Sequence, residues 1–150
     1  MLDTGIIVGY VRGAPYAEFV DREYAPLEGD SIAVVSVVSH GEIYSLAYQF
    51  GWGRRKRRRL DDILRRIPRQ SISHDAIIDR YAEIDAFSQG ELERNPLPEG
   101  MSARNMGKND LWISATTSVL DATLLTTDRD FDHLADEFVD LAFVDPAGDY

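Results

Sequence analysis

The clearest hydrophobic segment of the chain is IAVVSVV at residues 32–38, a continuous run rich in β-branched side chains. A run without polar alternation is typical of a strand that is buried on both faces, as in a parallel sheet. Ser39 and Glu42 directly after it have the spacing of a capping box. Apolar residues then recur at i, i+3, i+4 and i+7, namely Ile43, Leu46, Ala47 and Phe50. The pattern therefore predicts a strand that passes straight into an amphipathic helix.

The remaining pattern alternates helical and extended segments in the same way. Helical spacing also predicts a helix in the arginine-rich segment that precedes Pro68, and this proline ends the helix. Further helices are predicted at residues 74–89, 111–120 and 130–138. Extended apolar runs predict strands at residues 123–127 and 141–144. Residues 90–107 lack periodicity and contain two prolines and three glycines, so they are predicted to form one long loop.

Strands alternating with helices predict an α/β fold, an open parallel sheet flanked by helices. In such sheets, ligands bind outside the carboxyl ends of the strands, at the point where the strand order reverses. We therefore expect any chemistry to lie at these ends.

Composition fits one ordinary globular domain over residues 1–150. The chain has a mass of 16.9 kDa, with 44% hydrophobic and 28% charged residues. It contains no cysteine and only three histidines, which excludes disulfides, thiolate chemistry and cysteine-bound metal centres. No apolar run approaches the ~20 residues of a membrane span, and the first residues lack a basic leader. We expect a cytoplasmic protein with no membrane partner.

The net charge of −10 is unevenly distributed along the chain. Residues 54–69 hold nine of the sixteen basic residues and only two acidic ones, so this segment carries +7 and the rest carries −17. A basic stripe on an acidic body is able to hold a phosphate backbone at short range. The same stripe fits an acidic protein partner, a neighbouring subunit or a solvated helix face equally well.

Acidic residues occur where this architecture would bring them together: Asp3, Glu42, Asp110 and Asp128, with Asp130 close behind. Carboxylates crowded into one cleft repel each other unless they take up protons or bind a cation. Oxygen ligands favour Mg²⁺ or Mn²⁺, and such clusters are typical of phosphoryl-transfer chemistry.

Each of these acids also has an ordinary structural interpretation. Glu42 fits the capping box, Asp110 an N-cap, and Asp128 and Asp130 a turn before the next helix. For Asp3 this interpretation is weaker, because the apolar stretch GIIVGYV after it does not plainly show a helix to cap.

Three ordered blocks of the sequence resemble the PIN-domain family, and within it the VapC-type ribonuclease toxins of toxin–antitoxin pairs. LDTGIIV is similar to the opening motif, with Asp3 at the position of the first acid. SVVSHGEI is similar to the second block, with Glu42 as the acid and Ser36 and Ser39 at the hydroxyl positions. GKNDLWISATTSVLDATLLTTDRDF resembles the stretch that holds the third and fourth acids, Asp110 and Asp128.

The resemblance implies a PIN-like fold and a Mg²⁺- or Mn²⁺-dependent endoribonuclease. Asp3, Glu42, Asp110 and Asp128 would be catalytic and would hold the metal, with Asp130 as a further ligand and the hydroxyls of Ser39 and Thr127 in support. Substrate contacts are expected from Arg104, Asn105, Lys108, Arg54 and Arg55. The basic helix would bind either RNA or the antitoxin.

The family also implies a homodimer and a small cognate antitoxin as partners. The chain departs from the family at two points: only two residues precede Asp3, and Gly5 stands where Asn or Ser is common. A PIN-fold module that binds RNA or a protein without cutting it remains an alternative. A phosphatase with an aspartyl nucleophile is disfavoured, because Gly5 occupies the place of its second acid.

Overall fold

Two pairs of short parallel strands and the N-terminal segment form the centre of the computed structural model, which describes residues 1–28 and 32–150. Strand β1 (Val35–Ser36) pairs with β2 (Arg69–Gln70), and β3 (Thr123–Thr126) pairs with β4 (Asp140–Phe143). The N-terminal segment lies between these pairs, because Leu2 N donates to Val34 O at 2.9 Å and Leu2 forms a parallel bridge with Leu125. The spatial order is thus β2, β1, N-terminal segment, β3, β4, which confirms the predicted open parallel sheet.

Helices cover both faces of this sheet. They are α1 (Thr4–Arg12), α2 (Pro15–Tyr24), α3 (Val37–Gln49), α4 (Arg54–Arg66), α5 (Asp75–Ser88) and α6 (Lys108–Val119), with a 3₁₀ helix at Arg129–Leu134. Leu124 packs in the core with α5 and α6, whereas its neighbour Leu125 packs in the core with α1 to α4. Successive strand residues point to opposite faces, so the sheet separates two hydrophobic cores.

The segment at residues 32–38 differs from its prediction. The strand is confined to Val35–Ser36, and α3 begins at Val37 because the Ser36 hydroxyl accepts from Val38 N at 3.2 Å and caps the helix. The proposed capping box of Ser39 and Glu42 is therefore wrong, since both residues lie inside α3. Capping by Ser36 and packing of the helix outweigh the strand preference of the two valines.

The apolar stretch after Asp3 forms helix α1, which the sequence did not plainly show. Asp3 is its N-cap and accepts from Thr4 N at 2.6 Å. Buried residues occur on almost every face of α1, namely Ile6, Ile7, Gly9, Tyr10 and Val11, so the helical period is hidden. Helix α2 was also not predicted.

Several other predictions are confirmed. Helix α4 buries Leu60, Ile63 and Leu64, and the chain leaves it at Ile67, before Pro68. Helix α5 has His74 and Gln89 as its caps, and residues 90–107 contain no helix or strand. The helix expected at residues 130–138 is instead the shorter 3₁₀ helix, which Asp128 caps. No helix among the described ranges is long and apolar enough to cross a lipid bilayer.

Candidate active site

Four of the predicted acids line one pocket at the carboxyl end of the sheet, next to the N-terminal segment where the strand order reverses. The pocket has a volume of about 490 Å³. Its lining contains Asp3, Thr4, Gly5, Glu42, Ser45, Leu46, Gln49, Asn109, Asp110, Thr127 and Asp128. No lysine, arginine or histidine belongs to this lining, and no described basic group forms an ion pair with the four acids.

Asp3 is the most deeply buried of these carboxylates, with 6% of its surface exposed. One of its oxygens accepts from Thr4 N, and the other accepts from Thr126 Oγ1 at 2.7 Å. The backbone N–H of Asp128 donates to the same Thr126 hydroxyl at 3.0 Å. Burial raises the pKa of Asp3 to about 6, and the two hydrogen bonds oppose that rise.

Glu42 lies in the second turn of α3 and is held by two side chains. Thr4 Oγ1 donates to its Oε2 at 2.6 Å, and Asn109 Nδ2 donates to its Oε1 at 2.8 Å. These contacts connect α3 to the first turn of α1 and to the first turn of α6. The orientation of Glu42 is thus fixed from both sides.

Asp110 lies in the first turn of α6, whose N-cap is Gly107, so the predicted capping role of Asp110 is wrong. Its pKa is raised to about 7, first by burial and then by the negative charges of the other four acids. The four are Asp3, Glu42, Asp128 and Asp130. This repulsion shows that the five carboxylates share one electrostatic environment.

Asp128 and Asp130 follow β3 and are both exposed. Asp128 Oδ1 accepts from Asp130 N at 2.8 Å, which caps the 3₁₀ helix. Asp128 lines the pocket, whereas Asp130 does not. Asp128 therefore has both the structural role and the pocket position that the sequence suggested.

The hydroxyl residues differ from their prediction in part. Thr127 lines the pocket, but Thr126 contacts Asp3. Ser39 is fully buried, and its hydroxyl has no hydrogen-bond partner among the described residues. A Cβ at position 5 would collide with Thr127 Oγ1, so a larger residue there would have to displace that hydroxyl.

Sequence reasoning missed Thr4, Thr126 and Asn109. Strand alternation could have identified Thr126, because it places Thr126 and Asp128 on the same side of the extended chain. Thr4 and Asn109 gave no such signal, since their roles depend on helix starts that the sequence did not locate.

The predicted substrate contacts lie outside the pocket lining. Lys108 pairs with Asp85 at 3.6 Å, and the backbone N–H of Arg104 donates to Ser88 O at 2.7 Å. Asn105 is exposed on the loop, and Arg54 and Arg55 line one cleft on α4 that is distinct from the acidic pocket. None of these five residues lines the acidic pocket.

The donor chemistry of the pocket fits a hard divalent cation, since it offers only oxygen ligands and an excess of negative charge. Within residues 1–28 and 32–150, no three carboxylate or imidazole groups are already close enough to share an ion. Asp3 and Glu42 instead hydrogen-bond to Thr126, Thr4 and Asn109. A bound ion would therefore draw these carboxylates closer together.

The sequence model of the PIN domain matches residues 1–137, and the chain belongs to this family. A comparison with curated proteins finds no match. Among solved structures, the chain is similar to VapBC2 from Rickettsia felis bound to a DNA fragment from its promoter. The identity is 22%, the TM-score is 0.73, and the match covers 97% of this chain and 98% of the other.

Two further complexes share this fold. VapBC-1 from nontypeable Haemophilus influenzae matches at 22% identity and a TM-score of 0.68, with 95% and 96% of the two chains covered. A toxin–antitoxin complex from Klebsiella pneumoniae matches at 16% identity and a TM-score of 0.67, with 99% and 98% covered. At these identities the likeness shows the PIN fold.

Proposed function

We propose that the protein is a metal-dependent endoribonuclease that acts as the toxin of a VapBC-type toxin–antitoxin pair. The observation that carries this proposal is the meeting of Asp3, Glu42, Asp110 and Asp128 in one pocket without a basic side chain. Such an arrangement is unfavourable in itself, as the raised pKa values of Asp3 and Asp110 indicate, and a divalent cation relieves the repulsion.

Asp3, Glu42, Asp110 and Asp128 would hold Mg²⁺ or Mn²⁺, with Asp130 close by as a further ligand. A bound ion would supply positive charge for the scissile phosphate and the leaving oxygen, and it would lower the pKa of a water. The chain's own residues position the acids: Thr126 holds Asp3, and Thr4 and Asn109 hold Glu42. One of the carboxylates accepts the proton of the attacking water.

The partners follow from the same proposal. RNA is the substrate, a small antitoxin is the inhibitor, a homodimer is the assembly, and the cytoplasm is the location. We extend the PIN domain to residue 150, beyond the match to residue 137. Strand β4 supports this extension, because it pairs with β3 and Val144 N donates to Thr126 O at 2.8 Å.

Substitution of the acids tests the proposal. Asp110→Asn keeps the size of the side chain and removes its charge, and we expect it to lower both Mn²⁺ affinity and RNA cleavage by about 100-fold or more. Loss of a residue that only orients a ligand already costs 10–100-fold. Calorimetric titration with Mn²⁺ and a cleavage assay on total RNA measure the two effects. Asp3→Asn and Glu42→Gln should behave alike.

Asp79→Asn is the matched control, because Asp79 is exposed on α5 and lies outside the pocket. It should leave metal affinity and cleavage unchanged, and circular dichroism should show the same fold for all variants. Full cleavage by Asp110→Asn would remove that residue from the site. RNA binding without cleavage in the unsubstituted protein would favour the non-cutting module.

A further inference from the structure

Two exposed aromatic rings near the end of α3 are each backed by an arginine. Tyr48 is 71% exposed and Phe50 is 60% exposed. The guanidinium carbon of Arg57 lies 4.5 Å from the centroid of the Tyr48 ring, and that of Arg12 lies 5.6 Å from the centroid of Phe50. Arg57 also donates to Trp52 O at 2.9 Å, which fixes its position. One face of each ring is thereby held while much of the ring stays in solvent.

Arginines of α4 continue this surface. Arg54, Arg57 and Arg58 line one cleft together with the buried Trp52, and Asp61, Asp62 and Arg65 complete the lining of that cleft. The acids of α4 are already engaged, since Asp61 accepts from Tyr44 and Asp62 pairs with Arg65. Among the described residues, no carboxylate forms an ion pair with Arg54, Arg57 or Arg58.

This charge distribution does not stabilise α4. The first turn of the helix contains no acid and its N-cap provides no side-chain hydrogen bond, while Arg54, Arg55 and Lys56 crowd that end. Positive charge at a helix N-terminus opposes the helix dipole, and neighbouring cations repel each other. A bound polyanion would remove both penalties.

Helix α3 connects this surface to the acidic pocket. Ser45, Leu46 and Gln49 line the pocket, and Tyr48 and Phe50 are the direct neighbours of Gln49 in the sequence. Glu42 lies about two turns earlier on the same helix. The pocket lining and the two aromatic rings therefore belong to the same C-terminal part of α3 and its cap.

We propose that Tyr48, Phe50 and the arginines beside them, Arg12, Arg54, Arg57 and Arg58, form an aromatic–arginine surface that binds single-stranded RNA next to the scissile phosphate. Bases stack on the open faces of the two rings, and the arginines contact the phosphates. The inference rests on the proposed ribonuclease function and names the part of the substrate that this surface holds.

The alternation of ring and guanidinium favours RNA over a protein partner. A single strand offers a flat apolar base and a charged phosphate at every nucleotide, and proteins bind it with aromatic platforms in basic grooves. An apolar helix of an antitoxin would have to bury guanidinium groups that lack a counter-charge. Duplex RNA keeps its bases stacked inside and would leave the rings unused.

Equilibrium binding of a fluorescein-labelled, mixed-sequence single-stranded RNA of about 12 nucleotides tests the proposal. EDTA in the buffer prevents cleavage. We expect Tyr48→Ala and Phe50→Ala each to weaken binding by about tenfold, the loss of one stacked base, whereas Tyr48→Phe retains most of the affinity. Arg54→Gln with Arg58→Gln should lower the slope of log affinity against log salt by about 1.4.

Matched controls remove arginine side chains and an aromatic ring that lie outside the aromatic–arginine surface. Arg22→Gln with Arg94→Gln deletes two exposed charges on other helices and loops, and Tyr150→Ala deletes an exposed ring. These variants should bind RNA like the unsubstituted protein. Equal losses in the controls, or equal affinity for a duplex of the same length, would overturn the stacking proposal.

The outcomes separate this proposal from the ribonuclease function. Unchanged RNA binding in the aromatic and arginine variants, with cleavage intact, would overturn the surface and leave the nuclease standing. Weaker antitoxin binding or a lost dimer in those variants, with RNA affinity unchanged, would assign the surface to a protein. Lost RNA affinity in a protein that never cuts RNA would support the surface and refute the nuclease.

Discussion

Burial and the repulsion between the acids of the pocket raise the pKa of Asp110. Its pKa of about 7 exceeds the usual 3.8, so the folded protein holds a proton there at pH values at which the unfolded chain has released it. The metal-free protein is therefore most stabilised by this group below about pH 4, and that contribution is lost as the pH rises through about 7. Asp3 acts in the same direction, and its contribution is lost as the pH rises through about 6.

Asp110→Asn removes this dependence. In EDTA, we expect the variant to unfold at a higher temperature than the unsubstituted protein at about pH 8, with a difference that shrinks towards about pH 5, because the neutral amide carries no charge to repel. Thermal unfolding followed by circular dichroism at several pH values measures the difference. Asp79→Asn is the control, and a pH-independent difference for Asp110→Asn would contradict the assigned cause.

The positions of the four acids, three of which follow the carboxyl ends of parallel segments, predicted a shared pocket together with the resemblance to the PIN-domain family. The residues that hold them were harder to predict. Thr126 and Thr127 are identical in type, and only the side of the strand decides which one contacts Asp3. Asn109 reaches Glu42 across 67 positions of sequence, a contact that no local pattern contains.

At the scale of the helices and strands, the start of α3 shows that tertiary packing outweighs the preference of the local sequence. The valines at positions 37 and 38 favour a strand, yet they form the first turn of α3, which begins beside the end of β1. The helix start sets the position of Glu42, because each residue of displacement would rotate its side chain by about 100° around the helix axis. Ser36, which caps α3, therefore sets the place of Glu42 on the helix, and Thr4 and Asn109 hold its carboxylate.

Separate substitutions of Ser36 and Ser39 distinguish this cap from the capping box that the sequence suggested. Ser36→Ala removes the hydroxyl that accepts from Val38 N, and we expect a loss of about 1 kcal/mol in the free energy of unfolding. Ser39→Ala removes a buried hydroxyl that has no partner among the described residues, so we expect a loss below about 0.5 kcal/mol or a small gain. Urea unfolding measures both, and the reverse ranking would restore the capping box.

At the scale of the whole molecule, the order of the parallel segments brings residues from distant parts of the chain together at the pocket. The N-terminal segment lies between β1 and β3, so Asp3 meets Thr126 across 123 positions. The parallel arrangement was predictable from alternating strands and helices. The shortness of the strands was not predictable, because two residues of regular pairing suffice where helices bury both faces of the sheet.

Strand β4 completes this sheet outside the matched family region. Val144 is 1% exposed, and Phe138 and Val139 are also buried. A chain ending at residue 137 would lose the partner of β3 and with it the support of Thr126, so we expect it to unfold without a cooperative transition. A chain ending at residue 146 keeps β4 and Val144 and should unfold cooperatively, within a few degrees of the full chain. Calorimetry of both truncations measures this, and a cooperative transition in the shorter chain would confine the domain to residues 1–137.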